Sequence, residues 1–388
     1  MPSDNTGTGW VEPKYATIAA GIVALILYGS LFPFQFHMRP GTLGPVTHFL
    51  ATRHSPMDRG DLISNVLLYL PLGIFCAGSL CRLSRISSVL LATLFGLTLS
   101  TTIELAQFYD LTRASELWDT CANAAGSFMG AIVGVFLRRD WFPRPSRGQF
   151  AVLLIAIWFG YELFPYAPVF DPLRYAALAH AFRSPRFPSM ELLGRISFWL
   201  AVAVLLEALL GVARSRSALV ILVASVLLTR LVNLVLLPID VAGALIAAAA
   251  WFALSRLAPR VPLIASLFLA FAILQALQPF KFLPVPRHFG WTPFLAFING
   301  PRLEGTRSFL EKSFTYGALL WLWTRAGLPW AMVTVAVALL ELGLRFAQTW
   351  LPGRSAEITD AIMVLILAAV MKLVDESVRR DVKLNICA

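Results

Sequence analysis

Stretches of about 17–25 mostly apolar residues recur along all 388 positions of this chain, each long enough to cross a bilayer as a helix. Lipid offers no hydrogen bonds to a bare backbone, so only helices or a closed barrel satisfy such segments. Barrel strands alternate polar and apolar residues, whereas these runs are apolar on all sides. Hydrophobic residues make up 58% of the chain and charged residues only 14%. The mean hydropathy is +0.72. These values lie outside the range of soluble globular domains. The expected fold class is an all-α, polytopic integral membrane protein.

Apolar runs between charged or Pro/Gly-rich breaks predict about 12 transmembrane helices in three repeated four-helix sets. The first set is Tyr15–Phe32, Leu62–Leu80, Ile86–Phe108 and Leu117–Leu137. The second is Phe150–Phe164, Leu192–Val212, Ala218–Leu236 and Ile239–Leu254. The third is Leu263–Gln278, Phe309–Trp323, Leu328–Trp350 and Ile358–Leu373. In each set the first helix closes in an aromatic-proline cluster: Leu31-Phe32-Pro33-Phe34, Leu163-Phe164-Pro165-Tyr166, and Gln278-Pro279-Phe280. Proline stops a helix by removing a donor, and three clusters at equivalent places favour internal duplication. The expected divisions are 1–140, 141–260 and 261–388.

The formal charge of +10 is scattered over many short connections. That pattern argues against nucleic acid and for topology signals and contact with anionic headgroups. Arg82, Arg85, Arg138, Arg139, Arg144, Arg147, Arg214, Arg216, Arg256 and Arg260 fall on one side of the predicted topology. Lys372, Arg379, Arg380 and Lys383 join them there. Short-loop Lys and Arg residues mark the cytoplasmic side, which places both termini in the cytoplasm. The polar stretch Met1–Lys14 has little positive charge and no small-residue cleavage site, so the first run reads as an uncleaved anchor.

Polar residues recur at the edges of the apolar runs. Glu104-x2-Gln107 closes one run, and Arg113-x2-Glu116-x2-Asp119 opens the next. Arg345-x2-Gln348 closes a later run, and Arg354-x2-Glu357-x2-Asp360 opens its successor. A shorter copy is Arg230-x2-Asn233 followed by Asp240. Each charge at a membrane helix centre costs roughly 2.5–3.5 kcal/mol, so recurrence in register marks a site or an assembly rule. In the first set, Asp61 and Asn65, Glu104 and Gln107, and Asp119 and Asn123 are each spaced to share one helix face. All six are expected near the outer interface. The comparable residues are Glu191, Arg195, Arg230, Asn233 and Asp240 in the second set, and Glu311, Lys312, Arg345, Gln348 and Asp360 in the third.

A structural reading competes with the functional one. Asp119 and Asp360 suit helix N-termini, and Glu104 has natural counter-charges in Arg230 or Arg345. Gly126-x3-Gly130-x3-Gly134 fits close helix packing, and Pro71 with Gly73 predicts a kink. Cys76, Cys81, Cys121 and Cys387 form no CxxC or Cys/His pattern, and His37, His48 and His54 are irregularly spaced. Neither a metal site nor a cofactor is expected. Phosphate loops, nucleophile elbows and zinc-protease motifs are not apparent.

Residues Asp61–Gly73 (Asp-Leu-Ile-Ser-Asn-Val-Leu-Leu-Tyr-Leu-Pro-Leu-Gly), Glu104-Leu105-Ala106-Gln107, Arg113, Asp119, Asn123 and Gly126 together resemble the VanZ-like family of membrane proteins. Leu31-Phe32-Pro33-Phe34 fits that family's first helix. The resemblance covers roughly the first 140 residues. The last set is similar through Gln348, Arg354, Glu357 and Asp360, but has Arg345 for Glu104 and Val364 for Asn123. The middle set is more degenerate. The resemblance implies a bacterial cytoplasmic-membrane protein linked to the cell envelope. It also implies an association with susceptibility to teicoplanin-type glycopeptides or with envelope polysaccharides, and brings no settled catalytic chemistry.

The leading expectation is a non-enzymatic protein that binds or screens a lipid-linked saccharide or glycopeptide at the outer leaflet. Asp61, Asn65, Glu104, Gln107, Arg113, Asp119 and Asn123 would form its site, with membrane lipid as the general partner. Arg113 would meet a phosphate or carboxylate while acids and amides orient hydroxyls or amines. A transporter or flippase is the alternative. A membrane enzyme using Asp61, Glu104 and Asp119 as acid-base groups ranks third.

Overall fold

The computed structural model describes residues 12–38, 44–54, 59–80, 82–110, 116–136, 148–164, 172–254 and 260–386. They are overwhelmingly helical, with no strand among them and two isolated bridges, Phe36 to Asp110 and Gly290 to Glu357. In chain order the helices are α1 (Pro13–Leu31), α2 (Pro45–Ala51), α3 (Arg59–Ser79), α4 (Arg85–Gln107), α5 (Leu117–Phe136), α6 (Gln149–Glu162) and α7 (Pro172–Arg183). They continue as α8 (Ser189–Val232), α9 (Pro238–Leu254), α10 (Arg260–Leu277), α11 (Leu295–Asn299), α12 (Arg302–Arg325), α13 (Trp330–Ala347) and α14 (Thr359–Ile386).

The 44 residues of α8 are two helices joined at Gly211, whose φ of 78° and ψ of 167° lie outside any helix. Only glycine adopts that conformation without a Cβ penalty. The sequence places this break a few residues later, between Val212 and Ala218, because Arg214 and Arg216 carry the local polarity. Pro71 sits inside α3, which continues through it.

Among the described residues, six helices are long and apolar enough to cross a membrane: Pro13–Leu31, Gly60–Ser79, Arg85–Gln107, Ser189–Val232, Arg260–Leu277 and Trp330–Trp350. Gln149–Glu162 and Pro238–Leu254 are shorter apolar helices. The protein is thus a multi-pass helical membrane protein. Ser189–Val232 counts once among these spans although Gly211 divides it into two helices. The other predicted runs that do not appear among the six are shorter, less apolar or interrupted by charge. The difference is physical. A run interrupted by charge or shortened by a cap needs neighbouring helices to shield it.

The chain divides into two compact units, Met1–Pro145 with Ala296–Thr306 and Ser146–Leu295 with Arg307–Ala388. In the first, α3 lies directly against α5. A Cβ at Gly126, Gly130 or Gly134 would collide with the carbonyl oxygens of Val66, Leu70 and Ile74, and one at Gly73 would collide with that of Ser127. The glycine spacing therefore permits backbone-to-backbone packing of the kind membrane helices use without a hydrophobic driving force. Ile26, Tyr69, Leu72 and Ile103 bring α1, α3 and α4 together in one core cluster. A second joins Ala77, Ala92, Ala131 and Val135.

The second unit is built around aromatic rings. Phe198 of α8 packs on Phe268 and Phe271 of α10 and Phe314 of α12, with centroid separations of 5.6, 5.9 and 5.1 Å. Helix α9 packs along α8, and α14 along α13.

One backbone arrangement occurs in both units. After α1, Phe32–Pro33 is cis, Phe34 takes a φ of 63°, and His37 N–H donates to Tyr109 O at 2.8 Å. After α10, Gln278–Pro279 is cis, Phe280 takes a φ of 60°, and Leu283 N–H donates to Trp350 O at 2.6 Å. Pro165 and Tyr166, the middle cluster of the sequence, lie outside the described residues.

Candidate functional site

In the first unit, the contacts of Gly126, Gly130 and Gly134 set α3 and α5 side by side in parallel register. That register puts Asp61 and Asn65 within about a turn of Asp119 and Asn123. Helix α4 runs the opposite way. Its Gly96 faces Ser127, and its Ser100 accepts from Asn123 Nδ2 at 2.9 Å. Glu104, only 3% exposed, accepts from the Glu116 N–H at 2.8 Å just before α5 begins. The site candidates Asp61, Asn65, Glu104, Gln107, Asp119 and Asn123 are thereby gathered at one end of three packed helices. Arg113 lies outside the described residues.

These residues continue inward as a stripe. Tyr69, 1% exposed, lies beside Ser100 and Glu104 on this stripe. Asn123 leaves its Oδ1 buried with no partner, as do the hydroxyls of Thr120 and Ser127 and the Nδ2 of Asn65. A buried polar atom without a partner costs about 1–3 kcal/mol. Four such atoms lie along this one stripe. Sequence spacing alone pointed to Asn65 and Asn123, but not to Tyr69, Ser100, Thr120 and Ser127. Hydroxyls inside apolar runs are common and usually bond their own helix.

Gln107 has a different job. Its Nε2 donates to Ser30 O at 2.9 Å, tying the end of α4 to the end of α1. In the second unit Gln348 Nε2 donates to Ala276 O at 2.7 Å. Arg230 Nη1 donates to Glu162 O at 3.3 Å. Ser30, Glu162 and Ala276 each stand three residues before a proline.

Arg195, Arg230, Lys312 and Arg345 of the second unit are closed by ion pairs. Arg195 meets Glu162 at 3.4 Å and Asp240 at 3.1 Å, with Glu191 at 3.9 Å. Arg230 meets Asp240 at 3.0 Å and Glu162 at 3.6 Å. Further along the chain, Asp360 lies 2.8 Å from Lys312 and 2.6 Å from Arg345, which also meets Glu341 at 3.1 Å. Arg345 donates to Gln348 Oε1 at 2.7 Å. Arg230 and Arg345 thus find carboxylates at Glu162, Asp240, Glu341 and Asp360, where the sequence suggested Glu104 as one counter-charge.

Glu162 and Glu341 were missed as site residues. The available signal was an acid inside an apolar run, which by itself marks a paired or functional group.

Arg354 is held by backbone carbonyls. Its Nε and Nη2 donate to the carbonyls of Gln278 and Gln275, both at 2.9 Å. Burial, followed by the charge of Arg345, lowers its proton affinity. Glu357 Oε2 accepts from Thr359 Oγ1 at 3.0 Å. Among the described residues no group of His, Cys, Asp and Glu is arranged to hold a metal.

No curated protein and no solved structure matches the chain. Residues 8–138 match the family model described as VanZ/LLP1, a span that contains α1 to α5 and the buried polar stripe. That N-terminal third is therefore similar to the VanZ/LLP1 family, in a chain whose described residues include six helices long and apolar enough to cross a membrane.

Proposed function

We propose that the VanZ-like region binds the polar head of a lipid-linked saccharide or glycopeptide at the outer leaflet of a bacterial inner membrane, without catalysing a reaction on it. The observation that carries this reading is the stripe from Glu104 to Ser127, with its partnerless amide atoms on Asn65 and Asn123 and its partnerless hydroxyls. Such donors and acceptors complement sugar hydroxyls and peptide amides, and the bilayer supplies the low dielectric in which their bonds count most. Glu104, Asp61 and Asp119 add negative charge at the same end, and Arg113 is assigned to a phosphate or carboxylate of the ligand. Susceptibility to teicoplanin-type glycopeptides, or an envelope polysaccharide, is the corresponding cellular readout.

Twelve helices in three quartets, with both termini cytoplasmic, are part of this proposal. Its support is the paired arrangement around Phe34 and Phe280 and the three side chains that seize a carbonyl three residues before a proline. Aligned this way, Asn65, Arg195 and Lys312 correspond, each four residues before a buried Tyr69, Trp199 or Tyr316. Glu104, Arg230 and Arg345 correspond, as do Asp119, Asp240 and Asp360. Two quartets spend these positions on internal ion pairs, and the first carries Asn and Glu where the others carry Arg or Lys.

The experiment is binding of a labelled lipid-linked saccharide, and of teicoplanin, to the full chain in nanodiscs. Capture of either, lost in Asn123→Leu and Glu104→Gln, supports the reading; undiminished capture in both variants removes the site. Because the stripe runs about two helical turns inward from Glu104 to Gly96, translocation of an envelope lipid precursor is the second reading. Ligand exchange between leaflets of proteoliposomes would favour it over binding alone.

A further inference from the structure

A separate cavity lies wholly within the second unit. It has a volume of about 400 Å³ and opens to the outside between α6, α8, α10 and α12. Its floor is aromatic, from Phe198, Trp199 and Phe271. The absence of a side chain at Gly194 makes room for the Phe271 ring against α8. One wall is the buried ion pair of Glu162 and Arg195, whose charges are already spent on each other and on Asp240.

The rim has a different character. Arg307 of α12 is exposed, packs its guanidinium over the Tyr161 ring at 5.5 Å, and pairs with no described carboxylate. One turn on, Glu311 shares its face and accepts only a neutral hydrogen bond, from Gln275 Nε2 at 3.1 Å. Glu191 completes the rim, 46% exposed and held only by a long 3.9 Å pair with Arg195. The mouth therefore presents one uncommitted cation beside two weakly committed carboxylates above an apolar floor.

We infer that this cavity is a binding site for a zwitterionic group in which a phosphate is joined to a primary ammonium, as in phosphoethanolamine. Arg307 takes the phosphate through its planar donor fork. Glu191 and Glu311 take the ammonium, whose three N–H donors match two carboxylates. The aromatic floor accepts the start of an attached acyl chain when the group arrives as a lipid, and a cavity of this size suits a headgroup. An anionic phosphate lacking the amine leaves the carboxylates unmatched and repelled. A trimethylated amine has no N–H to give them. The site is independent of the stripe in the VanZ-like region.

The test is native mass spectrometry of the full chain in detergent with dioleoyl phosphatidylethanolamine, phosphatidylcholine or phosphatidylglycerol added separately. Phosphatidylethanolamine is expected to be retained about tenfold better than either of the others, as befits one or two charge-assisted hydrogen bonds. Arg307→Gln and Glu311→Gln should each remove most of that preference, and Arg307→Lys should keep part of it. All three substitutions fall at two rim positions, and a melting temperature within a few degrees of the parent verifies the fold. Displacement by free phosphoethanolamine assigns recognition to the headgroup alone, and retention of the lipid without displacement assigns it to headgroup plus chain. Equal retention of the three lipids, or a preference untouched by either glutamine variant in folded protein, overturns the inference.

Discussion

Asn123 reaches from α5 to α4 and donates through Nδ2 to Ser100 Oγ at 2.9 Å, while its own Oδ1 stays buried and unanswered. The residue is therefore half satisfied. Interhelical hydrogen bonds in membranes average only about 0.6 kcal/mol, and removing an unmet acceptor offsets some of that loss. Asn123→Leu is expected to shift the melting temperature in detergent by no more than a few degrees while abolishing capture of the lipid-linked saccharide. A large destabilisation with capture retained in the surviving folded fraction would make Asn123 a packing residue only.

Arg345 stands in the opposite position. It holds Glu341 and Asp360 at 3.1 and 2.6 Å, with both acids about 2% exposed. Arg345→Met leaves Lys312 as the remaining close cation of Asp360 and strips Glu341 of its partner. Breaking one side of a buried pair costs about 3–5 kcal/mol. Thermal unfolding of the purified variant should show that loss, and adding Glu341→Gln should recover part of it. If the double variant melts no higher than the single one, Glu341 does not depend on Arg345.

Gly130 and Gly21 make a controlled comparison. A side chain at Gly130 runs into Leu70 backbone, whereas nothing lies within 4 Å of a Cβ at Gly21. Gly130→Leu should destabilise the first unit by about 1–3 kcal/mol or more, the range for overpacking. Gly21→Ala should leave the melting curve unchanged. Equal melting temperatures for the two variants would show that α3 and α5 separate readily.

Sidedness is open to labelling. Ser184, exposed after α7, and Ile86, 74% exposed at the start of α4, fall on opposite faces of the proposed topology. In a cysteine-free background, an impermeant maleimide added to whole cells should modify Ser184→Cys and spare Ile86→Cys until the membrane is opened. The reverse pattern inverts the orientation and moves the polar stripe to the cytoplasmic leaflet.

Helical character was readable from hydropathy because a bilayer forces every apolar run of sufficient length to satisfy its own backbone. The start of α5 at Leu117 and the packing glycines of α5 could be read directly. The break at Gly211 was displaced in the sequence reading, since a nearby pair of arginines looks like the turn while a single left-handed glycine makes it. Glu162 and Glu341 went unrecognised. Each is one acid in an apolar run, and its importance rests on an arginine that folding brings alongside.

The sequence by itself determined that this chain is built of apolar helices long enough to cross a membrane and that its N-terminal third is similar to the VanZ/LLP1 family, because both are written in local composition and in short ordered motifs. Tertiary structure decided which polar side chains are spent on one another and which are left over. Arg195 and Arg345 are consumed by carboxylates distant in sequence or a turn away, whereas Asn65 and Asn123 retain atoms with no partner. Residue order does not state that difference, because a hydrogen bond or an ion pair depends on separations of a few ångströms between helices, which only their packing sets.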